Sequence, residues 1–403
     1  MTRLTVSSSP HIRQPDSVPQ IMWSVVLALT PALIASGSFF GWRAFYVTGL
    51  SVLTAILCEA AVQKFRKVPV TVSDGSAVVT GILVAFCLPP TVHWYVPVVG
   101  SAAAILIAKQ AFGGLGNNIW NPALVGRAVV HWCYSADMNP SSYPMVRLDH
   151  PGQGFLGRMG DFFQRFTVDV CAGGDKIVGP DVVTGASPMR ALKDIADGVN
   201  LNQIPVDVTT VADHLPRQFQ AAGQTFQDGS SLWDAFLGYL GGNIGEVSAL
   251  LLLLGAAYLL ARGYIRWYVP VLYVATVALL VAVLPIKVVG ADGQSSLVWA
   301  AAFRSGADIG WQFVGYHLLC GGLMLGALFM ATDMVTSPLS RTGLVVFAVG
   351  CGLLTAFIRL YGAYPEGVCY SILLMNTVVP LIDRWTKPRV FGAVKSKKVP
   401  KAA

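Results

Sequence analysis

Apolar positions along the chain come in long runs rather than as a stripe or an alternation. Crossing a hydrocarbon core of ~30 Å takes ~20 helical residues. Stretches of about that length lie near 21–40, 42–61, 75–93, 94–112 and 119–135. A second set lies near 246–262, 268–289, 311–332, 342–360 and 366–384. Between the sets, 136–245 is polar and rich in Gly, Asp and Pro. The pattern predicts an all-α polytopic membrane protein of about ten transmembrane helices, five on each side of one large loop.

Interruptions inside the runs refine this picture. "VAFCLPPTVHWYVP" (84–97) and "FMATDMVTSPLSRTG" (329–343) each break an apolar helix with Pro and polar residues. Each is followed by a helix and a Gly-rich turn, "FGGLGNNIWNPALVG" (112–126) and "RLYGAYPEGVCYSILL" (359–374). Broken segments at matching positions of two halves mark a repeated membrane fold with a site at the repeat interface. Irregular backbone at membrane depth is tolerated only where it is buried in protein or lines a cavity. An odd number of spans per half requires the second repeat to be inverted. Chance placement of Gly and Pro kinks is the competing explanation.

Composition agrees with the runs. Of 403 residues, 54% are hydrophobic and 12% charged, about half the charged share of a soluble protein. The net charge of +7 does not point to nucleic acid, because the basic residues flank apolar runs instead of clustering on a soluble domain. Short loops carrying Lys64, Arg66 and Lys67, and Arg262 and Arg266, are expected on the cytoplasmic side. So is the tail with Arg384, Lys387, Arg389, Lys395, Lys397, Lys398 and Lys401. The 136–245 loop holds twelve Asp against seven Arg and Lys, and the span count places it outside. The expected organisation is a cytoplasmic arm (1–20), a first five-helix repeat (21–135), an extracytoplasmic loop (136–245), a second repeat (246–384) and a basic cytoplasmic tail (385–403).

Several candidate features are weighed against blander readings. Ionisable residues within apolar runs default to functional hypotheses. Glu59, Lys109, Asp333, His317 and Arg359 qualify, although most lie near helix ends, where long side chains can snorkel to water. Asp333, in the second break, is the better candidate for lining a cavity. "SLWDAFLGYLGGNIG" (231–245) sets Trp233, Phe236, Leu237 and Leu240 at helical spacing, as in a helix lying in the membrane interface. The seven cysteines are dispersed, without the short spacings of a zinc or iron–sulfur site, so no metal is expected. Walker A, GxGxxG, HExxH and GxSxG patterns are absent.

The loop contains "DVVTGASP" (181–188). A turn is the plain reading, with Gly185 free to take positive φ and the hydroxyls bonding nearby backbone. Average residue usage gives Asp-x-x-[Ser/Thr]-Gly-Ala-[Ser/Thr] about once in several hundred chains of this length. Small neighbours also leave a hydroxyl reachable by a modifying enzyme, and a loop Ser can carry a phosphoester.

Taken together, these segments resemble the RnfD component of the Rnf electron-transport complex and its relative NqrB, from the sodium-translocating NADH:quinone reductase (Nqr). The resemblance runs from "SPHIRQPDSVPQIMWSVVLALTPAL" (9–33) through "FGGLGNNIWNPALVGRA" (112–128), "DVVTGASP" and "FLGYLGGNIGEVSALLLL" (236–253) to "YPEGVCYSILLMNTVVPLID" (364–383). It implies two inverted five-helix repeats with broken helices, similar to urea transporters, in a bacterial inner (cytoplasmic) membrane with both termini cytoplasmic. It also implies FMN joined covalently through its phosphate to the last hydroxyl of the motif by a flavin transferase. That residue is Ser187, where the family more usually has Thr; Asp181, Thr184, Gly185 and Ala186 complete the site. The implied role is electron relay between ferredoxin and NAD, coupled to Na⁺ or H⁺ movement, with no complete active site in this polypeptide alone. Partners would be the other subunits of the complex, among them iron–sulfur subunits and a second flavin-bearing subunit. A channel or solute transporter of the same fold, or an inert scaffold, is the alternative. The segments 150–178 and 198–228 have no assigned role.

Overall fold

The computed structural model describes residues 16–139, 143–146, 182–185, 230–238, 242–246, 248–289, 295–298, 307–362 and 366–387. Helices carry the architecture. Helix α1 (Val18–Phe40) starts where the Ser17 side chain accepts from the Gln20 N–H, and Gly41, at φ +68°, turns the chain into α2 (Trp42–Phe65). Helix α3 (Ser76–Phe86) begins after Gly75 at φ +80° and ends before Pro89 and Pro90, which have no N–H to continue it. Helix α4 (Tyr95–Ala103) runs on as a π-helical stretch, Ala104–Gln110. The Asn121 side chain then caps α5 (Pro122–Cys133), and a short α6 (Ser135–Met138) leads into the polar interval.

After that interval come α7 (Ser230–Leu237), α8 (Ala249–Ala261) and α9 (Tyr268–Val283). The expected run 311–332 is not one rod. It divides into α10 (Ala307–Leu319) and α11 (Leu323–Leu325), the latter continuing as a π-helical stretch, Gly326–Met330. Phe313–Leu319 and Leu323–Met330 are bent by 52°. The reason is Gly321 at φ +72° followed by Gly322 at φ +68°, a conformation that only glycine adopts without strain. Helices α12 (Arg341–Tyr361) and α13 (Val368–Trp385) complete the bundle, separated from α11 by the irregular segment 331–340.

Helix α1 lies against α8, α2 against α3 and α4, α9 against α12, and α13 against α12 and α5. One apolar core spans both sets, from Ala28 and Leu29 through Phe86 and Leu124 to Phe347 and Ile372. Large apolar side chains such as Leu27, Leu57, Leu254, Leu279 and Phe357 face outward, as a bilayer requires and water would penalise. Val18–Gly37, Trp42–Phe65 and Arg341–Tyr361 are each long and apolar enough to cross a membrane alone, and the bent pair makes a fourth candidate. The shorter apolar helices α3, α4, α8 and α9 pack among them.

Among the described residues, strands occur only as two antiparallel ladders, β1 (Tyr143–Val146) with β2 (Val182–Gly185), and β3 (Ile286–Val289) with β4 (Ser295–Val298). Helix α7 is shorter than the 231–245 stretch suggests, because Gly238, at φ +115°, closes it. The chain then makes a separate 3-10 turn, Ile244–Glu246. Of the stripe, Phe236 and Leu237 are half-buried on α7, which packs on α8 and α10, while Leu240 lies outside the described residues.

Candidate functional site

The hydroxyl motif meets the described structure at its first half. Thr184 and Gly185 lie on β2, opposite Pro144 and Tyr143 of β1, and β1 in turn touches α1. Thus 182–185 forms a strand end tied to the chain just after it leaves α6, where a free turn was one expectation. Asp181, Ala186 and Ser187 lie outside the described residues. The ladder ends at Gly185, so Ser187 follows two positions beyond the last backbone pair.

A cavity of about 110 Å³ opens at the end of the bundle opposite that loop. Its walls come from the start of α1 (Met22, Val25), the starts of α3 and α5, the end of α8 (Leu259) and the 331–340 segment. Polar and charged residues, among them Lys109, Asn118, Asn121, Thr332 and Asp333, interrupt its apolar walls, the composition of a small-molecule or ion station. Asp333 accepts from the Val335 N–H at 3.3 Å and from Thr336 Oγ1 at 3.1 Å. Asn121 joins the two halves: its Oδ1 accepts from the Ala123 N–H at 3.1 Å while its Nδ2 donates to the Met330 carbonyl at 3.3 Å. Asp333 therefore lines a cavity, in line with its place in the second break.

The long cations do not snorkel. Lys109 is 1% exposed and donates to Glu59 Oε2 at 2.8 Å and to Ser76 Oγ at 2.6 Å. Gln110 and Gln63 donate to the other Glu59 oxygen at 3.1 and 3.4 Å, so the carboxylate is satisfied on both sides. Arg359 donates to the carbonyls of His317, Cys320 and Gly321, the last at 2.8 Å, closing the end of α10 where the helix breaks. Lys109 thus balances a buried acid and a hydroxyl, and Arg359 serves broken backbone, because unpaired polar groups inside the bundle have no water to turn to.

A second polar cluster sits at the loop end of the bundle, and no sequence motif announces it. Asn243 Nδ2 donates to Glu246 Oε1 at 2.7 Å and to Glu366 Oε1 at 3.1 Å, and Glu366 pairs with Arg127 of α5. The cue in the sequence is modest: polar residues at the edges of apolar runs in "GGNIGE" and "YPEG". Among the described residues six cysteines are free; Cys87, Cys320, Cys351 and Cys369 are buried packing residues, whereas Cys133 is exposed at the end of α5. Among the described residues no three His, Cys, Asp or Glu side chains converge as a metal site.

Comparison with known proteins gives a consistent picture. The family model described as NQR2, RnfD, RnfE family matches residues 5–392. The D component of the Na⁺-translocating ferredoxin:NAD⁺ oxidoreductase complex of Acetobacterium woodii is 39% identical over 402 residues, covering 99% of this chain and 98% of its own. The D component of the proton-translocating ferredoxin:NAD⁺ oxidoreductase complex of Clostridium ljungdahlii is 39% identical over 389 residues, covering 96% of each. The D component of the ion-translocating oxidoreductase complex of Halorhodospira halophila is 33% identical over 391 residues, covering 96% and 95%.

Proposed function

The chain belongs to the NQR2, RnfD, RnfE family, and on that premise we propose that it is the D component of an ion-translocating ferredoxin:NAD⁺ oxidoreductase complex. Full-length similarity to proteins so named carries the reading. The relatives in A. woodii and C. ljungdahlii are named for different ions at the same 39% identity, so likeness alone does not select Na⁺ or H⁺. The organisation we infer is ten spans in two inverted repeats, with both termini cytoplasmic and 136–245 on the outer face of the cytoplasmic membrane. The matched placement of the buried cations supports it. Lys109 ends the fourth helical run of the first set and reaches the positive-φ turn at Gly75–Ser76. Arg359 ends the fourth run of the second set and reaches the turn at Gly321–Gly322.

We further propose that Ser187 carries FMN as a phosphoester. The residues fit that group: the motif offers a Ser hydroxyl beside Gly-Ala, two positions after the last residue of a backbone ladder, and such small neighbours leave a hydroxyl open to a transferase. Attachment joins Ser187 Oγ to the flavin phosphate of FAD, releases AMP, and gives up the hydroxyl proton. Once bound, the flavin supplies one- and two-electron transfer. The chain's part is positional: β2 ties Thr184 and Gly185 of the motif to β1, which touches α1. Thr184 is a supporting residue, and Asp181 is assigned to the transferase or its metal. The protein thereby works within a complex that has iron–sulfur subunits and a second flavin-bearing subunit.

A fluorescent flavin band should survive denaturing electrophoresis of this polypeptide. Ser187→Ala should abolish the band without preventing insertion and assembly, because loss of a loop hydroxyl costs little stability. Ser187→Thr should keep it. Peptide mapping that finds the FMN mass on Thr184 would overturn the site. No flavin at all would favour the channel reading.

A further inference from the structure

The long loop returns to the bundle through Gly242–Glu246, and this short segment touches two helix breaks, the one after α3 and the glycine break between α10 and α11. At the first, the Ile244 N–H donates to the Leu88 carbonyl at 3.0 Å. Ile244 is fully buried, and a side chain at Gly245 would overlap the Phe86 ring. At the second, a Cβ on Gly322 would lie 2.9 Å from Glu246 Oε1, so the carboxylate sits against the left-handed turn that starts α11. The segment is held from the side by Asn243, which bridges Glu246 and Glu366, and Glu366 pairs with Arg127. The Asn243 Oδ1 is buried without a partner, a polar atom held out of water.

Position gives this wedge a meaning. Helix α3 runs from Ser76 in the cavity wall to Phe86 under the wedge, about 16 Å at 1.5 Å per residue. The α11 run leads the opposite way, from Gly322 at the wedge to Phe329 in the cavity wall. The cavity opens at the end away from the loop, and buried Phe86, Leu88, Ile244 and Leu325 fill the other end. We propose that Gly242–Glu246 is the closure of the translocation route at the loop face, held shut by the Asn243–Glu246–Glu366–Arg127 network. This rests on the ion-translocation reading. It makes the end of the motif-bearing loop the link between that loop and both broken helices, so a displacement of the loop opens the route at two breaks at once.

Two native thiols report on the closure. Cys87 and Cys320 sit beside the two contact points and are buried, whereas Cys133 is exposed and Cys351 lies fully buried within α12. A membrane-impermeant maleimide applied from the loop face of the intact complex, followed by peptide mass mapping, should label Cys133 and spare Cys87 and Cys320. Glu246→Gln and, separately, Ile244→Ala should each raise labelling of Cys87 and Cys320 about tenfold or more, as loss of a charge-assisted bond or a buried side chain implies. Cys351 should stay unlabelled. Unchanged labelling of Cys87 and Cys320 in both assembled variants overturns the closure. So does a matching rise at Cys351 in both, which would make the segment a brace for the whole fold. The labelling is independent of transport. Ferredoxin-driven ion uptake by vesicles carrying the complex tests the functional reading separately; its absence in the unaltered complex would remove the translocation route, while the labelling would still decide whether the segment seals the loop face.

Discussion

The two buried cations meet the same need with different chemistry. At Lys109 the bundle supplies a carboxylate, Glu59, and two glutamine amides that occupy its free lone pairs. At Arg359 the partners are three main-chain carbonyls at the end of α10, with no ion pair to Arg359 among the described residues. The difference follows from donor geometry. An ammonium is a compact point charge best met by an anion, whereas the planar guanidinium spreads its donors and can gather several carbonyls at once. The break between α10 and α11 exposes a cluster of carbonyls because consecutive glycines turn the chain out of the helix. Helix α3, by contrast, begins after Gly75, where the Asp74 side chain already holds the Ser76 N–H at 2.8 Å. The cation there balances an acid and a hydroxyl; Arg359 closes a helix end.

If this contrast is right, Lys109→Met should have the largest effect on stability, because it leaves Glu59 buried without its cation. A loss of about 3–5 kcal/mol is expected, read as thermal unfolding or loss of assembled protein in detergent. The pair Lys109→Met with Glu59→Met should recover most of it, since replacing a whole buried pair by apolar side chains is often neutral. If the double variant is no better than the single, the ion pair does more than balance charge. Arg359→Lys comes next. One ammonium cannot reach all the carbonyls that the guanidinium spans, so about 1–3 kcal/mol should be lost for a buried acceptor left unmet. A lysine variant as stable as the parent would show that charge, and not the planar fork, is what α10 requires.

Asn121→Ala should cost less again, about 1 kcal/mol for the lost cap of α5. Because Asn121 also reaches the Met330 carbonyl of the other half, its cost should exceed that of Ser17→Ala at the start of α1. Equal costs for the two caps would mean that the link between halves adds nothing.

Residue order alone dictated the membrane class, the two sets around a polar interval and the breaks near 84–97 and 329–343, since apolar run length and Pro or Gly placement are local properties. It also carried the family, through segments spread over nearly the whole chain. The wedge at Gly242–Glu246 could not be read the same way. Its partners Leu88, Gly322 and Glu366 are far apart in sequence, and no spacing rule links them. Nor did the order reveal the glycine break inside 311–332, because Leu and Phe on both sides keep the run apolar throughout. The fate of Lys109 and Arg359 was open for a related reason: a cation near a helix end can reach water or turn inward with equal ease. Only packing decided it, by placing Glu59 and Ser76 beside one and bare carbonyls beside the other, where desolvation makes pairing the sole way to keep a buried charge.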